Sequence, residues 1–254
     1  MVQTNFKKFE KSSFIYDSMY HDKNYKKESA YLKALLKYKK VNKILDLGCG
    51  TCSHLIALTK FCKHSIGIDA NKQMVKIANI KIKKNKIKNI KVINKNILDF
   101  NSKSKFDVIF SLFHVVNYLA GKDEISKFFY LVSKTLNKNG ILIFDFWNKH
   151  LKINESNKTT KIVKNKSLII ERKSISTYSS KTNITNVNFK YLVKKINTNE
   201  EYQFNEKHIM KSFDRMKLKK IAAKFGLSYV ACYKWLSRKN LELKDKTGVI
   251  IFKN

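Results

Sequence analysis

Residues 44–54 read Ile-Leu-Asp-Leu-Gly-Cys-Gly-Thr-Cys-Ser-His, and this stretch decides the fold. An apolar strand predicted over 43–47 stops at a loop that holds Gly48 and Gly50, and a helix predicted over 53–62 begins directly after the loop. Glycines at such a turn let backbone N–H groups approach a ligand without an intervening Cβ. The helix N-terminus behind them favours a carboxylate or a phosphate. The stretch therefore predicts a strand, a ligand-binding loop and a helix in succession.

The next strand supplies an acidic residue at a telling distance from the loop. A strand predicted over 64–68 is followed by Asp69, 19 residues after Gly50. An acid at that distance can accept hydrogen bonds from both hydroxyls of a ribose. The stricter G-x-G-x-x-G pattern of dinucleotide-binding proteins fails, because Ser53 stands at its third glycine position. The two segments together predict a nucleoside-binding half-fold.

Strands and single helices alternate through the first part of the chain, which predicts parallel pairing with right-handed crossovers. Residues 1–40 are predicted to be helical, with an apolar stripe that includes Tyr31, Leu32, Leu35, Leu36 and Tyr38. The predicted elements that follow the second strand are a helix over 71–84, strands over 90–94 and 106–110, a helix over 122–136 and a strand over 140–146, entered by a turn at Asn139-Gly140.

The pattern changes after this fifth strand. Between 161 and 211 apolar and polar residues alternate with no helix between the segments, which predicts an inserted antiparallel sheet. A helix over 215–225 with Gly226 as its C-cap follows, and strands over 228–236 and 247–253 complete the main sheet. We expect three parts: residues 1–150, the insert 151–211, and residues 212–254. The insert would cover the carboxyl ends of the parallel strands as a lid and would select the substrate.

Four segments in order resemble the motifs of class I S-adenosylmethionine (SAM) methyltransferases. They are Asp46-Leu47-Gly48-Cys49-Gly50-Thr51, Gly67-Ile68-Asp69, the stretch 92–100 and the strand 106–111 with its following loop. The resemblance covers about residues 14–147 and implies a Rossmann-like α/β fold whose seven-stranded sheet is mostly parallel. It differs at Cys52, where the family usually has a third glycine, so the Cys52 side chain is expected to point away from the ligand.

The resemblance implies SAM as the cofactor and assigns residues to its parts. Gly48 and Gly50 would contact the methionine end of SAM, and Asp69 would bind the ribose hydroxyls. Asn96 would accept a hydrogen bond from the adenine amino group. The Ile97 backbone N–H would bind adenine, Leu112 would pack near the methionine end, and Tyr16 would cover the methionine carboxylate. Lys23 would pair with that carboxylate. A surface acid for Asp69 and helix packing for Tyr16 are the structural alternatives.

The segments Tyr16-Asp17-Ser18-Met19-Tyr20, 22–28 and 113–119 are further similar to nucleotide-sugar amine N-methyltransferases. That likeness implies a small-molecule acceptor: the amine of a dTDP-linked amino sugar or a similar small amine. Lys246 matches a region that meets the nucleotide diphosphate in those enzymes. The sequence does not fix the oligomeric state, and a homodimer is left open.

Methyl transfer to an amine requires alignment of the nucleophile with the methyl group more than it requires a strong base. Tyr118 could orient the amine or accept its proton, His114 could act as a base, and Asn117 could hydrogen-bond the substrate. Trp147 could stack on the substrate or shield the sulfonium. Each residue also has a purely structural interpretation, respectively an aromatic cap on the sheet, a satisfied histidine, a turn residue and packing against the insert.

Composition excludes several classes of protein. No run approaches 18 apolar residues and the first 20 residues lack a secretory pattern, so a cytoplasmic protein without a membrane span is predicted. The net charge of +34 invites a nucleic-acid interpretation. However, Arg172, Arg215 and Arg238 are the sole arginines, whereas RNA-binding surfaces rely on arginine. Such a lysine excess without proline is typical of the codon bias of an AT-rich genome, although the field would still attract an anionic nucleotide sugar, through its diphosphate, or an anionic lipid surface.

The cysteines allow one test for a metal site. Cys49 and Cys52 form a C-x-x-C, but Cys62 and His64 stand at the far end of the following helix, about 15 Å away for ten residues. We therefore expect free thiols and no metal.

Two other functions remain open. An RNA or protein methyltransferase of the adenine or glutamine type would need an Asn/Asp-Pro-Pro-Tyr/Phe loop, and this chain has no proline. A non-catalytic SAM-fold binding protein would not need the glycine loop and Asp69.

Overall fold

The computed structural model describes residues 9–36, 40–149 and 156–254. The described residues contain two 3₁₀ turns, at Ser13–Ile15 and Val115–Tyr118. Their α-helices are α1 (Tyr16–Met19), α2 (Tyr25–Leu36), α3 (Ser53–Leu58), α4 (Lys72–Lys84), α5 (Glu124–Thr135) and α6 (Arg215–Ala223). In this part of the chain no helix is long and apolar enough to cross a membrane.

Eleven strands form two sheets within the same residues. They are β1 (Lys43–Leu47), β2 (His64–Asp69), β3 (Ile90–Asn94), β4 (Phe106–Ser111), β5 (Leu136–Trp147), β6 (Ser156–Lys164), β7 (Leu168–Ser179), β8 (Ile184–Lys195), β9 (Glu201–Lys211), β10 (Ser228–Lys234) and β11 (Thr247–Lys253).

The larger sheet has the strand order β10-β11-β5-β4-β1-β2-β3. Strands β1 to β5 pair in parallel, and β11 runs antiparallel to both β5 and β10. The order reverses between β1 and β4, which leaves a crevice at the carboxyl ends of these two strands. The predicted seven-stranded, mostly parallel sheet is confirmed.

Apolar layers cover both faces of this sheet. On one face Phe106, Phe128, Phe144 and Phe252 are at most 2% exposed, and the Phe144 and Phe252 rings stack at 6.1 Å. The other face packs Leu32, Ile44, Leu55, Val108 and Phe110. Burying a side chain of this size contributes about 1.5–3 kcal/mol. Helices on both faces explain why the last four residues of β1 are all buried, Asp46 included, and do not alternate between buried and exposed.

Two predicted boundaries, the end of α3 and the start of β5, each differ from the structure by four residues. The helix predicted over 53–62 ends at Leu58, because Asn89 Nδ2 donates to the carbonyls of Thr59 and Cys62, which lie where another helical turn would be. The strand predicted from residue 140 already begins at Leu136, and Asn139 adopts a φ of +63° inside it. A register shift in the β4–β5 pairing absorbs the kink at Asn139, so the predicted turn at Asn139-Gly140 is a bulge.

The predicted helical region 1–40 is also interrupted. Among the described residues it comprises the turn at Ser13–Ile15, α1 and α2, and the chain between α1 and α2 is not helical. Tyr38 of the predicted apolar stripe lies outside the described residues.

Strands β6 to β9 form a separate antiparallel sheet in sequential order, which we call the lid sheet. Its apolar face, built from Val163, Ile170 and Val193, packs on Ile15 and Met19 near the beginning of the chain. The antiparallel insert predicted after β5 is confirmed. Its buried face shows that the first helices are the layer on which the lid sheet rests.

Asn117 joins the lid sheet to the main sheet. Its side chain is 0% exposed, Nδ2 donates to the carbonyl of Lys211 at 2.6 Å, and Oδ1 accepts the N–H of Trp147 at 3.1 Å. One amide therefore bonds the end of β9 and the end of β5. A buried amide that satisfies two backbone groups is costly to remove, because both groups lose their partner in a place that water does not reach.

We predict that Asn117→Ala lowers the free energy of unfolding by about 2–4 kcal/mol, since two buried backbone groups are left unsatisfied. Urea unfolding followed by circular dichroism measures the change. The control is Asn188→Ala, an exposed asparagine of β8, for which we expect a change within about 0.5 kcal/mol. Equal losses in the two variants would show that the hydrogen bonds of Asn117 to Lys211 and Trp147 do not stabilise the fold.

Candidate functional site

The candidate site lies at the carboxyl edge of the parallel strands, where β1, β2 and β4 end side by side. Two pockets open there, and Phe9, Gly48, Asp69, Val115 and Tyr118 line both of them. Shared walls make the pockets one elongated cleft. We call one part the tyrosine end, lined by Tyr16, Tyr25, Ser53, His54 and Leu112, and the other the asparagine end, lined by Asn96, Ile97, Leu98, Leu119 and Glu124.

The glycine loop shapes the middle of the cleft. Gly48 has a φ of +82°, and a Cβ there would lie 2.6 Å from the Val115 methyl groups. Gly50 has a φ of +53°, and a Cβ there would meet nothing within 4 Å. The first glycine is thus required by close packing against the loop after β4. The second leaves its backbone open toward the cleft.

Cys52 occupies the third position of the loop with a left-handed φ of +68°. Its side chain is 0% exposed and belongs to the apolar core around α3. The thiol therefore points away from the cleft, as the sequence predicts. Backbone strain of about 1–2 kcal/mol replaces the freedom that a glycine would have had.

Asp69 closes the middle of the cleft from the end of β2. Its Oδ2 accepts the N–H of Gly50 and its Oδ1 accepts the N–H of Asn71, both at 2.8 Å. Burial raises the pKa of this carboxyl, and the two N–H donors offset only part of that rise. Each carboxylate oxygen has a second lone pair, so the group can still accept two hydroxyl donors.

A second acid lies beneath the loop. Asp46 in β1 is 2% exposed, and burial together with nearby Asp69 raises its pKa to about 7. Two carboxyls with raised pKa values make this edge of the sheet favourable for a cationic ligand, since a positive charge would stabilise both ionised forms.

The asparagine end holds two of the predicted adenine contacts. Asn96 and Ile97 line it, and Asn96 Oδ1 accepts the N–H of Leu98 at 2.9 Å in a turn. This bond fixes the amide and leaves its second lone pair as an acceptor. Apolar walls from Leu98 and Leu119 suit the flat faces of a base.

The tyrosine end contains polar residues that the sequence did not single out. His54 and Tyr25 lie with ring centroids 5.0 Å apart, and His54 Nε2 contacts Glu28 Oε2 at 2.7 Å. Lys23 Nζ bonds the other oxygen of Glu28 at 2.5 Å and lies 4.3 Å from the Phe113 ring. Lys23, predicted to meet the ligand carboxylate, is therefore paired with Glu28 and does not line the cleft. Burial raises the pKa of Glu28, but bonds from His54 and Lys23 outweigh this and lower it overall.

The start of the chain is bonded to the glycine loop. Thr51 Oγ1 donates to Asp17 Oδ1 at 2.6 Å, and Lys81 Nζ donates to Asp17 Oδ2, Thr51 Oγ1 and Ser53 Oγ at 2.8–3.1 Å. This network holds α1 over the cleft, with Tyr16 as part of the wall. Burial raises the pKa of Tyr16 well above its ordinary value, so the phenol stays neutral.

The loop after β4 is strained where it meets the cleft. Phe113 and His114 have φ values of +67° and +64°, in a region that such side chains rarely adopt. The backbone N–H of His114 donates to Asp145 Oδ1 at 2.9 Å, which holds the turn in place. The turn brings Val115 against Gly48 and brings Tyr118 to both pockets.

The structure separates the predicted site residues into two groups. Tyr16, Gly48, Gly50, Asp69, Asn96, Ile97, Leu112 and Tyr118 line the cleft, whereas Lys23, His114, Asn117, Trp147 and Lys246 do not. The His114 ring lies 5.7 Å from the Trp147 ring, Asn117 clamps the lid sheet, and Lys246 is an exposed residue just before β11.

Tyr118 has a partner from the lid sheet. Its hydroxyl lies 2.7 Å from Nδ1 of His208, a residue of β9 that is 1% exposed. No local sequence pattern indicates this pair, because the two residues are 90 positions apart. The sequence analysis also did not predict that Phe9 and Val115 line the cleft. For Tyr25 and Glu28 a signal existed, because their i, i+3 spacing places both on one face of α2.

The cysteines are free thiols, and all four are buried. Within residues 9–36, 40–149 and 156–254 no group of three or more His, Cys, Asp or Glu side chains is arranged to hold a metal ion.

With this geometry in view, comparison with known proteins identifies the family. A family model described as "Methyltransferase domain" matches residues 38–213. The chain belongs to this methyltransferase family. The match runs from just before β1 through the lid sheet, and so includes the glycine loop, Asp69 and the asparagine end of the cleft, whereas Phe9, Tyr16 and Tyr25 lie outside it.

Individual curated relatives match part of the chain. A ubiquinone biosynthesis O-methyltransferase from Pelagibacter ubique is 36% identical over 111 residues, which are 43% of this chain and 44% of that protein. The chain spans about half the length of the curated relatives it matches.

Solved structures resemble nearly the whole methyltransferase. A SAM-dependent methyltransferase from Clostridium acetobutylicum has a TM-score of 0.81 at 20% identity and covers 96% of this chain and 98% of its own. A SAM-bound amino pentose methyltransferase from Micromonospora echinaspora has a TM-score of 0.75 at 20% identity, with 94% and 96% covered. These likenesses confirm the class I methyltransferase fold.

The residues of the cleft fit SAM. Asp69 and Asn96 supply acceptors for a ribose and an adenine amino group, and the open backbone at Gly50 permits close approach. The raised pKa values of Asp46 and Asp69 mark a place where the sulfonium and ammonium charges of SAM would be favoured.

We predict that Gly48→Ala lowers the free energy of unfolding by about 2–5 kcal/mol, because left-handed strain adds to the overlap with Val115. The matched control is Gly226→Ala, where φ is +77° and a Cβ would meet nothing within 4 Å. It should lose about 1–2 kcal/mol from strain alone. Urea unfolding measures both variants. Combining Gly48→Ala with Val115→Ala should recover part of the loss, and equal losses in the two single variants would show that the overlap is unimportant.

Proposed function

We propose that this protein is a SAM-dependent methyltransferase that methylates the amine of a small molecule, such as a nucleotide-linked amino sugar. The observation that carries the proposal is the single cleft in which Asp69 and Asn96 lie along one wall, with Tyr118 and Tyr16 beside the open Gly50 backbone. The cleft has acceptors for the nucleoside in one part and aromatic walls in the other.

When bound, SAM supplies a methyl group already activated by its sulfonium sulfur. The protein's contribution is alignment and the exclusion of water. Asp69 would hold the ribose, and Asn96 with the Ile97 backbone N–H would hold adenine. Leu112 and Tyr16 would enclose the methionine part, where Tyr25 and His54 add polar groups that the sequence did not indicate.

Aromatic rings surround the place where the methyl group would lie. Phe9, Tyr16, Phe113 and Tyr118 line the tyrosine end or the shared walls. Tyr16 contacts Phe9 at 5.6 Å and Phe113 at 6.5 Å between ring centroids. Ring faces attract a desolvated cation by about 0.5–2 kcal/mol each, so this wall suits both a sulfonium and a protonated amine.

Three features support an amine acceptor of small size. Phe9, Tyr16 and Tyr25 from the first part of the chain line the tyrosine end, which suits a small acceptor more than a macromolecule. The net charge of +34 would attract a nucleotide diphosphate. The similar structures include an amino pentose methyltransferase. Lys246 and Trp147 lie at the joined ends of β11 and β5, where Thr247 pairs with Trp147, and there they could contact the part of the acceptor that extends beyond the cleft.

The direct test is incubation of the purified protein with SAM and a panel of nucleotide amino sugars, small amines and small phenols, followed by mass spectrometry. We expect a mass increase of one or two methyl groups on an amine. Methylation of phenols alone would replace the amine proposal with O-methylation. Methylation of RNA, with none of the small molecules modified, would contradict the small-molecule proposal.

We predict that Asp69→Ala raises the SAM dissociation constant by about 10-fold or more, because the ribose hydroxyls lose a buried acceptor. Isothermal titration calorimetry measures this without an acceptor. Asp99→Ala is the control, since Asp99 is exposed and pairs with Lys127 at 3.4 Å; its affinity should match the parent protein. An unchanged affinity in Asp69→Ala would place the ribose elsewhere.

A further inference from the structure

The hydroxyl of Tyr118 is the start of a chain of polar groups that leads from the cleft into the lid sheet. Tyr118 lines both pockets, and its oxygen lies 2.7 Å from Nδ1 of His208. The other ring nitrogen, Nε2, lies 3.5 Å from Oε2 of Glu206. The chain therefore runs from a cleft residue through a buried imidazole to a carboxylate.

Glu206, the last of these polar groups, is hydrogen-bonded to residues near the start of the sequence. Glu206 accepts the N–H groups of Lys11 and Ser12 at 3.1 and 2.9 Å and the hydroxyl of Ser12 at 2.7 Å. Burial raises the pKa of Glu206, but the bonds from His208 and Ser12 outweigh it, and the pKa is lowered overall. Glu206 is therefore a fixed negative charge beside the imidazole at neutral pH.

This geometry determines which nitrogen of His208 carries the proton. An ionised carboxylate can only accept, so Nε2 must be the nitrogen that bears hydrogen. In the neutral ring Nδ1 is then an acceptor, and the Tyr118 hydroxyl donates to it. The carboxylate of Glu206 thus lies on the side of the ring opposite the Tyr118 hydroxyl.

The surroundings of His208 are apolar apart from these partners. The rings of Phe9 and Phe189 lie edge-on at 4.7 and 5.0 Å from the imidazole. The other charged or titratable groups nearby are Arg172, whose guanidinium lies 5.0 Å from the Phe189 ring, with Tyr20 and Tyr191 beyond it. Burial raises the pKa of Tyr118 and of Tyr191, so neither phenol is ionised by itself.

We propose that Tyr118, His208 and Glu206 form a proton relay that removes the proton from the acceptor amine before methyl transfer. The inference rests on the function proposed above. Tyr118 would be the catalytic residue, because it faces the acceptor, and His208 and Glu206 would be positioning residues that act through it.

Each proton and electron pair in the proposed transfer has a named donor and a named acceptor. The acceptor enters as an ammonium group, and its proton passes to the Tyr118 oxygen while the hydroxyl proton of Tyr118 passes to His208 Nδ1. The freed nitrogen lone pair forms a bond to the methyl carbon of SAM as the carbon–sulfur bond breaks, with that bond's electron pair left on sulfur. After the products leave, the proton on His208 returns through Tyr118 to water in the cleft.

The relay explains why a buried histidine and glutamate lie behind the cleft in the lid sheet. Burial raises the pKa of Tyr118, so its phenol stays protonated, and a protonated phenol accepts a proton from an ammonium group only if it passes its own proton on. In the proposed relay, Nδ1 of His208 accepts the proton that Tyr118 passes on. General-base assistance of this kind contributes about 10²–10⁴-fold to rate.

The first test requires neither SAM nor an acceptor. Nitrogen-15 NMR of the histidine rings reports the tautomer, and His208→Asn identifies the His208 signal among the six histidines. We expect hydrogen on Nε2 and an unprotonated Nδ1 that shifts in Tyr118→Phe. A ring with hydrogen on Nδ1 alone would overturn the relay.

The second test is the pH profile of turnover. His208→Asn keeps an acceptor near the Nδ1 position but cannot take up a proton. We expect turnover about 100-fold lower at pH 7, recovering as the pH rises toward 9 because the amine then enters deprotonated. The dissociation constant of SAM should remain within about 2-fold. A loss that is the same at every pH would indicate a merely structural role and would overturn the relay, as would no loss at all.

Two further variants complete the design. Glu206→Gln should give the same pH-dependent loss in smaller measure, about 10-fold, because the imidazolium loses its counter-charge. Tyr178→Phe is the matched control: it removes a lid-sheet hydroxyl that donates to Asn183 at 3.2 Å, remote from the cleft, and should behave as the parent protein. Thermal melting of each variant shows whether it is folded.

The outcomes separate the relay from the function on which it rests. If the parent protein methylates only hydroxyl groups, the amine proposal and the removal of an ammonium proton both fail, and the tautomer of His208 still decides whether the chain of hydrogen bonds exists. If no small molecule is methylated, the proposed function fails while the tautomer of His208 decides whether the chain of hydrogen bonds exists.

Discussion

The bond from the Gly50 N–H to the Asp69 carboxylate is the interaction on which the site depends. It joins the loop after β1 to the end of β2 at 2.8 Å and sets the shape of the cleft between them. The loop can reach this position because Gly48 fits beneath Val115, which in turn is held by the strained turn at Phe113 and His114. Three neighbouring strand ends are thus coupled by a few short contacts, which together define the middle of the cleft.

Charge is distributed unevenly around this cleft. The chain as a whole is strongly basic, yet two acids, Asp46 and Asp69, occupy the edge of the sheet, and burial raises the pKa of both. Anionic molecules are drawn to the surface, while cationic groups are favoured deep in the site. An anionic nucleotide sugar bearing an amine, together with a sulfonium cofactor, matches both preferences.

Local sequence predicted the main sheet well. The predicted bounds of β1, β3 and β11 agree with the structure, because these strands are short segments with an apolar majority between polar turns. The predicted start of β5 was wrong, because the bulge at Asn139 depends on backbone hydrogen bonds that join Asn139 and Gly140 to Asn254. The end of α3 was set by the side chain of Asn89, 30 residues away. Such long-range bonds leave no local pattern.

The site was predictable to the same extent. Residues carried by the motif, such as Gly48, Asp69 and Asn96, lie on strand ends and therefore line the cleft. His208 and Glu206 come from the lid sheet, and only the packing of that sheet on the first helices brings them behind Tyr118. Lys23 was predicted in the site but does not line the cleft, because its ammonium group forms an ion pair with Glu28. The spacing of the two residues does not reveal this pair.

The most direct test of this account is a crystal structure of the protein with S-adenosylhomocysteine. The account predicts the nucleoside in the cleft, with both ribose hydroxyls within hydrogen-bond distance of the Asp69 carboxylate and the adenine amino group at Asn96. A ligand bound elsewhere, or a ribose that does not contact Asp69, would contradict it.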